Sequence, residues 1–137
     1  MRVIFVCTGN TCRSPLAESY AKTQFNTGDV VFESRGLMVQ PGEVSSISQA
    51  IVARENLVMP STPAPLTEED AGGALLLVMT DAHRRAVMGE FPSADVRMIS
   101  EFAEGYQEDV LDPYGGSMED YERTFKQLKS FIDKFKF

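Results

Sequence analysis

Apolar and polar positions along the chain change period several times, and each change marks an element. Val3 to Val6 is a short unbroken apolar run, the pattern of a buried strand. Pro15 suits the first turn of a helix that carries Leu16, Ala17, Tyr20, Ala21 and Phe25. Val30 to Glu33 predicts a second strand, and Ser46 to Asn56 a second helix with Ile47, Ala50, Ile51 and Leu57 near one face. Met59 to Pro65, MPSTPAP, is too rich in proline for either regular structure and predicts an ordered loop. Thr67 with Asp70 three residues on has the form of a capping box opening a short helix. Leu75 to Met79 predicts a third strand, Ala82 to Glu90 a helix and Val96 to Ile99 a fourth strand. From Met118, apolar residues at Tyr121, Phe125, Leu128, Phe131, Ile132 and Phe135 make one stripe of a final helix. Ser117 and Asp120 can cap its start, and Lys134 and Lys136 suit the negative end of its dipole.

Alternating strands and helices imply an α/β fold: a four-stranded parallel sheet with helices on both faces, Rossmann-like, joined by right-handed crossovers. Residues 1–137 fit a single domain. Ligands of such sheets bind beyond the carboxyl ends of the strands, where the strand order reverses. Residues 7 to 14 leave the first strand and enter the first helix, so a site is expected there.

Charge narrows the partners. Thirteen Lys and Arg against 20 Asp and Glu give a net charge of −7, which opposes nucleic acid and anionic membrane surfaces. No run is long enough for a membrane span, and the apolar start lacks the pattern of a signal peptide, so a cytoplasmic protein is expected. Two cysteines in a reducing compartment suggest catalysis or redox chemistry rather than a structural staple. Two Cys and one His fall short of the usual zinc ligand set, and no metal site is expected.

The chemistry concentrates in VCTGNTCRSP, residues 6 to 15. Successive amides of a tight turn, together with the free amides opening a helix, form a concave anion nest from Thr8 to Ser14. Gly9 permits a positive φ or a close backbone approach, and Asn10 tolerates a left-handed conformation and can hold the turn with its amide. Arg13 offers a planar fork that matches two phosphate oxygens. Surroundings of this kind lower thiol pKa values to about 3.5 to 7.5, so Cys7 at the floor of the nest is expected as a thiolate. A thiolate beside a bound phosphoryl group suggests in-line attack and a phosphocysteine, with Ser14 donating to the sulfur.

Cys7-Thr8-Gly9-Asn10-Thr11-Cys12-Arg13-Ser14-Pro15 resembles the active-site signature of the low-molecular-weight protein tyrosine phosphatases and their bacterial protein-arginine phosphatase relatives. Asp112-Pro113-Tyr114 resembles the acid loop of that family, so the likeness spans essentially the whole chain. The resemblance implies the low-molecular-weight phosphatase fold and a cofactor-free phosphatase acting on phosphorylated proteins as a monomer. It makes Cys7 the nucleophile, Arg13 the phosphate clamp, Asn10 the loop-shaping residue, Ser14 the thiolate partner and Asp112 the general acid. Thr8, Gly9, Thr11 and Cys12 complete the phosphate loop, and Tyr114 walls the pocket. Cys12 is implied as a redox partner able to form a reversible disulfide with Cys7.

Thr11 stands where tyrosine-directed members commonly carry a bulky aliphatic residue. It resembles the protein-arginine phosphatases, as does Gly115-Gly116-Ser117 after the acid loop. Phosphoarginine is therefore the expected substrate and phosphotyrosine the alternative. Arsenate reductases of this fold need further cysteines, which are lacking after Cys12, and an oxyanion-binding or thiol redox module has no use for Asp112 and Tyr114. The turn Ser34-Arg35-Gly36 departs from the commoner Ser-Ala-Gly, with Ser34 expected to brace Asn10, and Ser61 falls where many members have a histidine. His83 has no assigned part and is expected at the surface or in a cap. Leu37 to Ser45 is expected to flank the pocket.

Overall fold

The structure, a computed structural model, describes residues 1–137. Four strands, β1 (Arg2–Cys7), β2 (Val31–Gly36), β3 (Leu75–Val78) and β4 (Asp95–Met98), form one parallel sheet in the order β2-β1-β3-β4. The chain steps one way from β1 to β2 and the other way to β3, so the reversal of order falls at the carboxyl end of β1. That is where residues 7 to 14 lie.

Strand periodicity divides the core in two. Val3, Phe5 and Cys7 face the larger cluster, packed under α1 (Arg13–Gln24), α2 (Ser46–Arg54) and α6 (Met118–Ile132). Ile4 and Val6 face the smaller cluster on the side of α3 (Glu68–Gly73) and α4 (Asp81–Glu90). Both faces of β1 are covered, which is why its sequence is continuously apolar. At the foot of the larger core Phe135 stacks on Phe5 and Phe25 and meets Phe102 edge-on.

Capping follows the sequence closely. Thr67 with Asp70 and Ser117 with Asp120 form the two expected capping boxes, while Ser45 caps α2 and Thr80 caps α4 through side-chain oxygens. Helix α1 has no side-chain cap. Its opening amides therefore have no local acceptor.

The expectations need correction in several places. Helix α2 ends at Arg54, because Asn56 turns left-handed at φ 55°. A short helix, α5 (Ile99–Glu104), follows β4 directly; its six residues are too few for a periodic signal. Helix α6 ends at Ile132, so Lys134 and Lys136 lie beyond it. Lys129 occupies its last turn instead, and Lys134 pairs with Glu104 of α5. No helix is long and apolar enough to cross a membrane.

Candidate active site

Strand β1 delivers Cys7 to the sheet edge with its thiol buried, and the chain then coils from Thr8 to Cys12 before α1 begins. Asn10 is left-handed at φ 56°, whereas Gly9 is not. The turn thus uses the asparagine for its unusual backbone and the glycine for an open approach.

Carbonyls of the loop are held from outside. Leu37 N donates to Cys7 O (3.1 Å), Met38 N to Thr8 O (2.8 Å), Ser45 N to Thr11 O (2.9 Å) and Leu16 N to Cys12 O (3.4 Å). The backbone amides of residues 8 to 14 donate to nothing within the protein. Buried or half-buried amides need acceptors, and a run of free ones on a curved loop is an anion cradle. Arg13, 5% exposed, donates Nη1 to Val110 O (3.3 Å), and its Nη2 lies 3.6 Å from Asp112 Oδ2.

Ser14 Oγ is 2.9 Å from Cys7 Sγ and 2.8 Å from Asn10 Nδ2. The amide nitrogen can only donate, so Ser14 accepts from Asn10 and has its own proton free for the sulfur. Asn10 Oδ1 in turn accepts from Ala64 N at 3.0 Å. The proline-rich loop is ordered as expected: Gly36 N donates to Ala64 O and Leu66 N to Gly36 O, both at 2.9 Å. That loop, and not Ser34, braces Asn10.

Ser34 donates instead to Glu18 Oε1 at 2.6 Å. Glu18 is fully buried in α1 and also accepts from Ser61 Oγ (2.6 Å), from Ser61 N and from Lys22 Nζ (2.5 Å). This carboxylate ties α1, β2 and the proline-rich loop together. Nothing in the sequence marks this residue: only the structure shows that α1 is buried without a break from Arg13 to Ser19 and so encloses Glu18.

The loop that carries Asp112 is anchored just before it. Val110 N donates to Met79 O (2.8 Å), Thr124 Oγ1 donates to Leu111 O (3.1 Å), and Gln127 Oε1 accepts from Leu111 N (3.0 Å). Asp112 Oδ1 accepts from Tyr114 N at 3.1 Å, which holds the carboxyl toward Arg13 while leaving it 58% exposed. Tyr114 is 80% exposed and stands as a rim, not as a core aromatic.

These groups line one cavity of about 410 Å³. Cys7, Arg13, Thr11, Asp112 and Tyr114 meet there, and residues of the 37–45 loop form the opposite wall. Cys7 and Cys12 are free thiols. Cys12 Sγ lies 3.2 Å from Tyr121 Oη of α6, a contact with no sequence signal; burial, then this hydrogen bond, push the Tyr121 phenol above its ordinary pKa.

His83 is neither a surface nor a capping side chain. It is 7% exposed, its Nε2 is 2.9 Å from Thr8 Oγ1, and its pKa is pulled from 6.5 to about 4 by burial and then by the Arg13 guanidinium, against Asp112 and Asp109.

An uncapped helix, a strand-to-helix loop with free amides, and a buried thiol beside a hydroxyl and a guanidinium thus meet at the carboxyl end of β1. Residues 2–136 match the family described as low molecular weight phosphotyrosine protein phosphatase. The chain belongs to that family, whose members are protein phosphatases. It is 39% identical over 138 residues to the low molecular weight protein-tyrosine-phosphatase PtpB of Staphylococcus haemolyticus, covering 99% of this chain and 98% of that one. Among solved structures it resembles the YwlE arginine phosphatase from Geobacillus stearothermophilus, with a TM-score of 0.92 and 29% identity over 97% of this chain and 88% of that one. A cysteine-to-serine mutant of YwlE arginine phosphatase with a phosphorylated active-site serine also gives a TM-score of 0.92, with 33% identity over 98% and 92% of the two chains.

Proposed function

We propose that this chain hydrolyses phosphoarginine in proteins through a phosphocysteine on Cys7, as a cytoplasmic monomer without a metal or other cofactor. The observation that supports it most is the set of unpaired amides from Thr8 to Ser14 curving over the Cys7 thiol, with Ser14 at 2.9 Å. Held by these amides and Arg13, the phosphoryl group presents phosphorus to the thiolate. The S–P bond forms as the P–N bond breaks, and the Asp112 carboxyl gives its proton to the departing guanidine nitrogen. Asp112, now a carboxylate, takes a proton from water. The resulting hydroxide attacks phosphorus, the S–P bond breaks, hydrogen phosphate leaves, and Ser14 stabilises the sulfur as its negative charge returns. Arg13 and the amides supply the positive charge throughout, so turnover survives a strong chelator.

Thr11 supports the arginine reading. Its short hydroxyl side chain lines the cavity with Asp112 and Tyr114, leaving width for a planar guanidine and a carboxyl to meet its nitrogens. The likeness to the YwlE arginine phosphatases supports it as well. Phosphotyrosine is the second reading, favoured by the names of the PtpB relatives and by the aromatic rim at Tyr114.

Phosphoarginine and phosphotyrosine peptides at matched concentration separate the two. The wild-type chain gives the higher kcat/KM on phosphoarginine, and Thr11→Ile shifts the ratio toward phosphotyrosine by about tenfold or more, the scale of pocket-shape discrimination. A wild-type preference for phosphotyrosine overturns the arginine reading.

A further inference from the structure

We propose that His83 is a positioning residue of the phosphate loop: it donates Nε2–H to Thr8 Oγ1 and so turns the Thr8 hydroxyl proton into the cavity, as a further donor to phosphoryl oxygens. The inference rests on the reading of the loop as a phosphoryl site.

His83 sits in the first turn of α4, at the carboxyl end of β3, the sheet neighbour of β1. Its backbone is fixed by the Thr80 cap, which accepts His83 N at 3.1 Å. From there the ring reaches Thr8, the residue after the nucleophilic thiol, at 2.9 Å. The other ring nitrogen, Nδ1, is buried with no partner. A buried N–H without an acceptor is rarer than a buried lone pair without a donor. The proton therefore belongs on Nε2, and Nδ1 carries the lone pair.

That tautomer decides what Thr8 can do. Its oxygen accepts from the imidazole, and no other protein group bonds the hydroxyl, so its proton is unclaimed. Thr8 lines the cavity with Cys7, Arg13 and Asp112. Its carbonyl is already held by Met38 N, which leaves the side-chain torsion as the freedom His83 removes. An imidazole kept neutral by burial and by Arg13 makes this one bond without adding a cation under the cradle. Nothing else in the fold accounts for enclosing the chain's single histidine with one nitrogen unsatisfied.

Affinity for inorganic phosphate, measured by titration calorimetry on the full chain, reads the donor without requiring turnover. His83→Leu and Thr8→Val each weaken phosphate binding about fivefold, the worth of one hydrogen bond, and the double variant is no weaker than either single one. His83→Gln, which keeps an N–H at similar reach, restores binding. His83→Leu also melts no lower than the wild type, because it removes an unsatisfied buried nitrogen; a residue that merely supports the fold would lower the Tm and leave phosphate binding unmoved. Thr8→Val, at an exposed position, carries the test alone if His83→Leu does not fold. Unchanged affinity in Thr8→Val, or losses that multiply in the double variant, overturn the assignment while phosphate binding by the wild type still supports the phosphoryl site. A wild-type chain that binds no phosphate contradicts the site itself.

Discussion

Ser14 holds its hydroxyl 2.9 Å from the Cys7 sulfur and accepts from the Asn10 amide at 2.8 Å, which leaves its own proton free to donate to a negatively charged sulfur. The bond matters most when sulfur carries negative charge, as attacking group and as leaving group. Ser14→Ala lowers kcat by roughly 10- to 100-fold, the range of a hydrogen bond to a charged group, and phosphocysteine breakdown slows most. Burst kinetics check this: the variant shows a larger burst of first product than the wild type, and an unchanged kcat contradicts it.

Asp112 lies 3.6 Å from Arg13 on a loop anchored by Val110, Thr124 and Gln127. Its position, and not merely its charge, is built in. Asp112→Asn slows turnover of phosphoarginine by about 10²- to 10⁴-fold, the usual loss of a general acid. A nitrophenyl phosphate, whose leaving group needs less protonation, loses less in the first step; equal losses in pre-steady-state release contradict the acid role.

Gly36 is the place where β2 touches the loop. A Cβ there would come within 2.9 Å of Thr8 O, 3.0 Å of Asn10 Cβ and 2.7 Å of Val39 Cγ2. Two of these are anchored to the phosphate-loop backbone and cannot swing aside. Gly36→Ala therefore costs about 1–3 kcal/mol by overpacking and weakens phosphate binding as well. Gly89→Ala, in α4 with nothing within 4 Å of its Cβ, stabilises by about 0.5–1 kcal/mol. Denaturant titration of the two variants checks the contrast; equal effects contradict it.

His83 makes stability pH-dependent. Its pKa in the fold, about 4, lies below its ordinary 6.5, so the unfolded chain takes up a proton before the folded one does. The contribution is complete above pH 6.5 and is lost as pH falls toward 4. The single imidazole resonance in proton NMR should titrate near 4, and the Tm difference between the wild type and His83→Leu should change over that window. A midpoint near 6.5 contradicts the burial described.

The order of the strands and of every helix but α5, and the capping boxes at Thr67 and Ser117, are legible because they are written in period and local spacing. So is the Cys7–Pro15 loop, a contiguous stretch between strand and helix. What stayed hidden depends on contacts across the fold. The brace on Asn10 comes from the Ala64 backbone amide, which any residue but proline could supply, so Ser34 was the more visible candidate. Glu18 is an ordinary helix residue until β2 and the proline-rich loop close over it. His83 lies 75 positions from Thr8 and meets it only because β1 and β3 are adjacent in the sheet.

Everything proposed for the site depends on the Cys7 sulfur taking the phosphoryl group. Acid-quenched turnover of a phosphoarginine protein, followed by peptide mass mapping, tests it directly. The predicted result is one phosphoryl group on the peptide bearing Cys7, lost together with turnover in Cys7→Ala. Hydrolysis that continues in Cys7→Ala, or turnover with no phosphoryl group on that peptide, would contradict the account.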